Sequence, residues 1–266
     1  MKKLFAVLLV LMLAVCGFAA AEGDTSVENI VEKGTFILGL DDSFPPMGFR
    51  DENNDIVGFD IDVAREVAAR LGVEFIAQPI SWDAKELELA SGTIDCIWNG
   101  MSITPEREES MAMTFPYLNN QMIFYTRADA GIDSLEALAG KSVAVQNGSY
   151  AEELLSGDYA DLAATFSEVL GFDEYLTALI DLQSGGCDAV LMDLVVGDYR
   201  INGMGATDLK AAVALTDDNY GIGFRKEDIA LRDKVEELLI EMKKDGTLEK
   251  ISTQWFGSDI TVVPAE

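Results

Sequence analysis

Histidine does not occur once in this chain. Its absence removes Ser-His-Asp triads, zincin motifs and most catalytic zinc sites, all of which need an imidazole. Cysteine is nearly as scarce, at three residues, and Cys16 falls in an apolar leader. Cys96 and Cys187 lie in or beside the apolar runs IDCIW and CDAVL, where a thiol behaves as a small hydrophobe. Two unpaired thiols are therefore expected rather than a disulfide. Positive charge is short as well, with 19 Lys and Arg against 47 Asp and Glu and a formal net charge of −28. Such a surface repels phosphate backbones and anionic lipid heads, which excludes nucleic acid as a partner. Beyond the leader, no run is apolar for long enough to span a bilayer.

What is present begins with that leader. Lys2 and Lys3 precede LFAVLLVLMLAVCGFAAA, and polarity sets in at Glu22. A basic start, an apolar middle and the small-residue site Ala19-Ala20-Ala21 describe an export signal over residues 1–21. Leu13-Ala14-Val15-Cys16 resembles a lipoprotein box, which leaves a lipid anchor at Cys16 as the alternative. Val15 stands where such boxes carry a small residue, so cleavage after Ala21 is expected.

Strand-like and helix-like segments then alternate. Strands are expected at Phe36–Leu40, Val73–Ala77, Asp95–Trp98, Gln121–Thr126, Ser142–Val145 and Ala189–Met192. Helices are expected at Trp82–Ser91, Ser134–Leu138, Ala151–Leu155, Glu174–Gln183, Arg232–Lys244 and Leu248–Trp255. This is the pattern of an α/β protein with largely parallel sheets. LASGTIDCIWN (89–99) is echoed by LQSGGCDAVLMD (182–193): a helix ends at glycine, then Asp, then an apolar strand. The echo implies two similar lobes, each with its own sheet.

Several constellations could carry chemistry. DENNDIVGFDID (51–62) is spaced almost like a calcium loop, but Ile56 replaces the required glycine and Asp62 the bidentate glutamate. It reads as a turn. The helix that follows has an apolar stripe of Val63, Ala64, Val67, Ala68 and Leu71, with Asp60 and Asp62 as acids at its start. In IDCIWNGMSITPERE (94–108), Thr104 and Pro105 open a helix and put Arg107 in its first turn, where the dipole disfavours a cation. Arg107 is either solvated beside its acidic neighbours or held there to grip an anion. In VAVQNGSYAEELL (143–155), Ser149 and Glu152 form a capping box at a helix start that suits a carboxylate, or simply a strand-to-helix turn. Asp193, just past an apolar strand, is either an N-cap or a receiver of ammonium. A cation, a helix N-terminus and a carboxylate at strand ends together complement a zwitterion such as an α-amino acid.

GFDIDVAREVAARL (58–71) resembles the signature of the bacterial extracellular solute-binding proteins for polar amino acids. The similarity extends through LDDSFPPMGF (40–49), SITPERE, VAVQNGS, DAVLMD and the tail from GFRKED to STQWFG. It implies the type II periplasmic-binding-protein fold: two α/β lobes, two hinge strands and a ligand cleft between them. Lobe 1 would comprise 22–119 and 221–266, the latter including a C-terminal tail; lobe 2 would be 120–220. The hinges are expected near Leu118–Gln121 and Asp217–Gly221.

The resemblance also implies roles. Arg107 grips the α-carboxylate, helped by the amides and hydroxyl around Ser149 and Tyr150. Asp193 takes the α-ammonium with the Gly100 carbonyl and the Ser102 hydroxyl. Phe44 and Trp82 are aromatic walls, and Asp41, Asn99 and Gln146 choose among side chains. Asn99, Gly100 and Tyr150 depart from the commoner family residues, which bears on side-chain choice. Asp41, with no pocket cation expected besides Arg107, favours a basic or amide side chain and opposes an acidic one. No cofactor or metal is expected. The expected partners are a free amino acid and the permease of an ABC importer, with the protein itself monomeric and outside the cytoplasmic membrane. The rivals are an enzyme on this scaffold, of the cyclohexadienyl dehydratase kind, and a ligand-sensing receptor subunit. The enzyme would need a cleft general acid of raised pKa, for which no His or Lys is in place.

Overall fold

A computed structural model describes residues 23–265. The expected export signal lies outside the described residues. The strands are β1 Thr35–Leu40, β2 Ser43–Phe44, β3 Gly48–Arg50, β4 Ile56–Val57, β5 Glu74–Pro79, β6 Cys96–Ser102, β7 Met111–Met113, β8 Leu118–Arg127, β9 Ser142–Gln146, β10 Glu168–Phe172, β11 Ala189–Asp193 and β12 Leu209–Arg225. The main sheet runs β10-β9-β11-β8-β12-β6-β1-β5. β1 pairs in parallel with β5 and β6, and β9 pairs in parallel with β10 and β11. Two parallel halves of like topology are thus present, as expected for a two-lobed α/β protein.

They do not, however, carry separate sheets. β8 and β12 run antiparallel to each other from Leu118↔Tyr220 to Arg127↔Leu209, and join the halves into one hydrogen-bonded path. Register shifts between Ala211 and Val213 and between Ala214 and Thr216 interrupt the long pairing, and such bulges bend and twist a strand.

The sequence echo has a structural cause. The helices Lys85–Ser91 and Tyr175–Ser184 each end at a left-handed glycine, Gly92 (φ 78°) and Gly185 (φ 83°). The Asp that follows serves the neighbouring strand in each copy. Asp95 Oδ2 accepts from the Ile37 amide of β1 at 2.7 Å, and Asp188 Oδ2 accepts from the Ser142 amide of β9 at 3.1 Å. Each acid closes a backbone donor at the start of a buried parallel strand.

Asp51–Asp55 is a turn. Asp51 Oδ1 accepts from the amides of Asn53 and Asp55 at 2.8 and 2.9 Å, closing the β3–β4 hairpin. The helix Phe59–Leu71 buries Phe59, Ile61, Val63, Ala64, Val67 and Ala68 in the main core. Burial of each larger apolar side chain there is worth about 1.5–3 kcal/mol. Asp60, expected as an acid serving this helix start, makes its bonds elsewhere. It is fully buried, and its Oδ2 accepts from the Gly100 amide at 2.8 Å and from the Tyr117 hydroxyl at 3.0 Å. Burial pushes its carboxyl up to about 7 against those donors.

Other boundaries moved. β6 continues past Trp98 to Ser102, because β12 supplies an antiparallel partner as far as Tyr220↔Ser102. The helix expected at Ser134–Leu138 is only a single 3-10 turn, Glu136–Leu138. The helices Ser26–Lys33 and Leu194–Met204 and the strand β10 were not anticipated, and β12 was expected only as a hinge strand near Asp217–Gly221. Cys96 and Cys187 are both buried and unpaired. Among the described residues, no helix is long and apolar enough to cross a membrane.

Candidate functional site

All eleven residues singled out from the sequence line one nearly closed cleft, with about 20 Å³ of free room, between the two halves of the sheet: Asp41, Phe44, Trp82, Asn99, Gly100, Ser102, Arg107, Gln146, Ser149, Tyr150 and Asp193. Among the described residues, Tyr175 is the one lining residue that sequence reasoning missed. It opens the helix Tyr175–Ser184 and sets its ring 6.1 Å from that of Phe44, closing the aromatic wall.

Arg107 stands in the first turn of the helix Pro105–Ser110, whose Thr104 cap accepts from the Arg107 amide at 3.2 Å. Its guanidinium turns back to the edge of β6, which resolves the apparent conflict with the helix dipole. Nη1 donates to the Ser102 carbonyl at 2.8 Å, and Nη2 donates across the cleft to Glu153 Oε1 at 2.6 Å. Arg107 is 4% exposed, and its Nε has no hydrogen-bond partner among the described residues. A buried donor left unmade costs about 1–3 kcal/mol, so this geometry favours an added acceptor. Asn99 Nδ2, also buried, lacks a partner among the described residues, while Asn99 Oδ1 accepts from the Asp41 amide at 3.0 Å.

Asp193 ends β11 and precedes the helix Leu194–Met204, but it makes no side-chain cap there. It thus stands at the N-cap position, as one alternative had it, without making the capping bond. Its Oδ1 accepts instead from Asn120 Nδ2 and from the Tyr220 hydroxyl, both at 2.7 Å. Asn120 Nδ2 also donates to Asp218 Oδ2 at 2.8 Å, and the Ser102 hydroxyl donates to the same atom at 2.8 Å. Two buried acids are therefore linked through one amide, at the crossing of β8, β12, β6 and β11. Burial, followed by the charge of Asp218, pushes Asp193 up to about 7. Burial raises Asp218 too, against donors from Asn120 and Ser102. Because Ser102 spends its proton on Asp218, its oxygen faces the cleft as an acceptor.

The capping box at Ser149 forms with one change. Ser149 Oγ accepts from the Glu152 amide at 3.3 Å, but Glu152 returns to the Gly148 amide, at 2.7 Å, instead of to the cap residue. The Ser149 amide donates to the Gln146 carbonyl at 3.2 Å, so it is not available to a carboxylate as expected.

Other bonds span the cleft. Gln146 Nε2 donates to Asp41 Oδ2 at 2.7 Å, Lys85 Nζ donates to the Gly148 carbonyl at 2.8 Å, and Arg200 donates to the Ser43 carbonyl. Lys85, nearly fully buried, also lies 5.2 Å from the centre of the Trp82 ring. Burial and then the Arg107 charge lower its pKa. Two cations besides Arg107, Lys85 and Arg200, are thus close to the cleft, contrary to expectation. Neither had a sequence signal, because each reaches the site only through the approach of the opposite half.

Two α/β halves joined by paired crossing strands, with a polar cleft that draws residues from both, define a two-lobed solute-binding protein. The family model of bacterial extracellular solute-binding proteins, family 3, matches residues 36–258. The chain belongs to that family of solute-binding proteins. It is 30% identical over 262 residues to the L-cystine-binding protein TcyJ of Escherichia coli (strain K12), covering 98% of this chain and 97% of that one. It is 31% identical over 227 residues to ABC transporter arginine-binding protein 1 of the same strain, covering 82% and 89%. Among solved structures, a histidine-bound substrate-binding protein of an ABC uptake transporter from Streptococcus pneumoniae superposes with a TM-score of 0.86 at 34% identity. That match covers 91% of this chain and all of the other. The fold is the two-lobed type II arrangement of such proteins.

Proposed function

We propose that the protein is the extracytoplasmic binding component of an ABC importer for a polar L-amino acid with a basic or amide side chain. The observation that carries this is the pairing of Arg107, with its buried and unpartnered Nε, and Asp193 in one cleft. They come from opposite halves, so one zwitterion contacts both. Arg107 takes the α-carboxylate. Asp193 takes the α-ammonium, with the oxygens of Ser102 and Gly100. Phe44, Trp82 and Tyr175 enclose the side chain, while Asp41, Asn99 and Gln146 meet its end and Ser149 and Tyr150 flank the carboxylate.

Lobe 1 comprises 22–119 and 221–266, and lobe 2 comprises 120–220, with the hinges in β8 and β12. A ligand that touches both lobes favours the closed form by its differential contacts. The relatives that bind cystine, arginine and histidine support an amino-acid ligand and an ABC permease as the membrane partner. The protein acts as a monomer, after export and removal of residues 1–21.

A thermal-shift screen of the twenty amino acids, with ornithine and cystine, should give a rise in melting temperature for the cognate ligand. Arg107→Ala or Asp193→Ala should each abolish calorimetric binding while leaving the far-UV spectrum unchanged. Unaltered affinity in either variant would sink the assignment.

A further inference from the structure

Building on the amino-acid reading of the cleft, we propose that Arg200 sets side-chain specificity. It offsets the charge of Asp41, so that the far end of the cleft suits a neutral, hydrogen-bonding side chain such as a carboxamide better than a cationic one.

Arg200 sits seven residues after Asp193 on the helix Leu194–Met204. Seven residues are two helical turns, so it lies on the same face roughly 10 Å further along. One helix therefore presents the acid of the ammonium end and, beyond it, a cation. That cation crosses the cleft to the Ser43 carbonyl. Ser43 in turn holds Asp41, its amide and hydroxyl donating to Asp41 Oδ1 at 2.8 and 2.9 Å. Arg200 and Asp41 are thus linked through a single residue, close enough for the Asp41 charge to bear on the guanidinium.

Asp41 is also well supplied with donors. Gln146 Nε2 takes its other oxygen at 2.7 Å, making three donors on one buried carboxylate. A cationic side chain that shared Asp41 would lie near the Arg200 guanidinium. It would also pack on Trp82, whose ring already meets the Lys85 ammonium at 5.2 Å. A carboxamide meets no such opposition. Its NH₂ can share Asp41, and its carbonyl can accept from the Arg200 Nε, which is buried and without a partner among the described residues. Of the other acids nearby, Asp42 is engaged by Arg50 at 2.5 Å, and the charge of Glu174 bears on the Arg200 guanidinium.

The test is calorimetry of the mature protein with L-glutamine, L-asparagine, L-arginine and L-lysine, on the wild type, Arg200→Gln and Arg200→Lys. The wild type should favour an amide ligand. Arg200→Gln should strengthen arginine and lysine by about tenfold relative to glutamine, the scale of one nearby charge in a partly buried site. Arg200→Lys should keep the wild-type ratio. If Arg200→Gln weakens all four ligands alike, or leaves the ratio unchanged, Arg200 is only a strut across the cleft and the proposal falls. If the wild type binds none of the twenty amino acids, the amino-acid reading itself is overturned, and the Arg200 assignment with it.

Discussion

An acid that receives an ammonium group must be ionised, and Asp193 holds its proton up to about 7. Burial is the main cause and the Asp218 charge the next, while the Tyr220 hydroxyl and the Asn120 amide pull the other way. A ligand ammonium placed against Asp193 must therefore expel a proton whenever the pH lies below about 7. Well above that point affinity is flat. Below it, each pH unit costs about tenfold, so binding at pH 5 should be about a hundredfold weaker than at pH 8. The amino acid keeps both of its charges over that range, so the change belongs to the protein. Calorimetry at pH 8, 7, 6 and 5, in two buffers of different ionisation enthalpy, measures both the affinity and the protons released. Near pH 6 about one proton should leave per ligand bound. Asp218→Asn removes the like charge and should move the fall in affinity to lower pH. A dissociation constant that stays level from pH 8 to pH 5, with no buffer-dependent heat, refutes the role of Asp193.

Stability should respond to the same acids. Asp60 and Asp193 are each pushed from 3.8 to about 7 by burial, so the folded chain binds more protons than the unfolded chain between those values. The resulting stabilisation is full below pH 4 and lost as pH rises through 7, so urea unfolding should show a free energy higher at pH 5 than at pH 8, by on the order of a few kcal/mol. Asp60→Asn should flatten part of that slope. Gly148→Ala tests closure: Gly148 has φ +68°, and an added Cβ would lie 2.7 Å from Asp83 Cα on the opposite half. Ligand affinity should drop at least about tenfold while stability changes by only about 1 kcal/mol, and solution scattering with ligand should show an expanded particle. At Gly100, φ is +61° and a Cβ would meet Phe44 Cε1 at 2.9 Å and the Tyr220 ring at 3.1 Å. Gly100→Ala should destabilise by about 1–3 kcal/mol in denaturant titration.

Much of this protein could be read from local pattern. The stripe of Val63, Ala64, Val67 and Ala68 marks a core helix because helical periodicity is a property of neighbouring residues. The echo of Asp95 and Asp188 after glycine caps reveals two like halves for the same reason. Arg107 drew notice because a cation in a first helical turn conflicts with a local rule, and the conflict is explained once its guanidinium is seen turned to the Ser102 carbonyl.

The residues that escaped notice act at a distance. Asp218 lies in LTDDNYG, a polar run that gives no strand period, and it becomes buried only because β8 and β12 pair along their length. Asn120 joins it to Asp193 across 73 residues of sequence, and the Tyr220 hydroxyl donates to Asp193 across 27. Asp60 obeys the helix-start rule in position and breaks it in role, because Gly100 of β6 and Tyr117, just before β8, claim its carboxylate. The sequence alone determined the α/β alternation and the eleven residues that the fold brings to one cleft. The tertiary structure alone decided how those residues are charged and paired, from the Asp193–Asp218 link to the reach of Arg200 over Asp41. Periodicity and capping are local and survive in any one segment. Burial, proton affinity and contacts across a cleft exist only once distant segments meet.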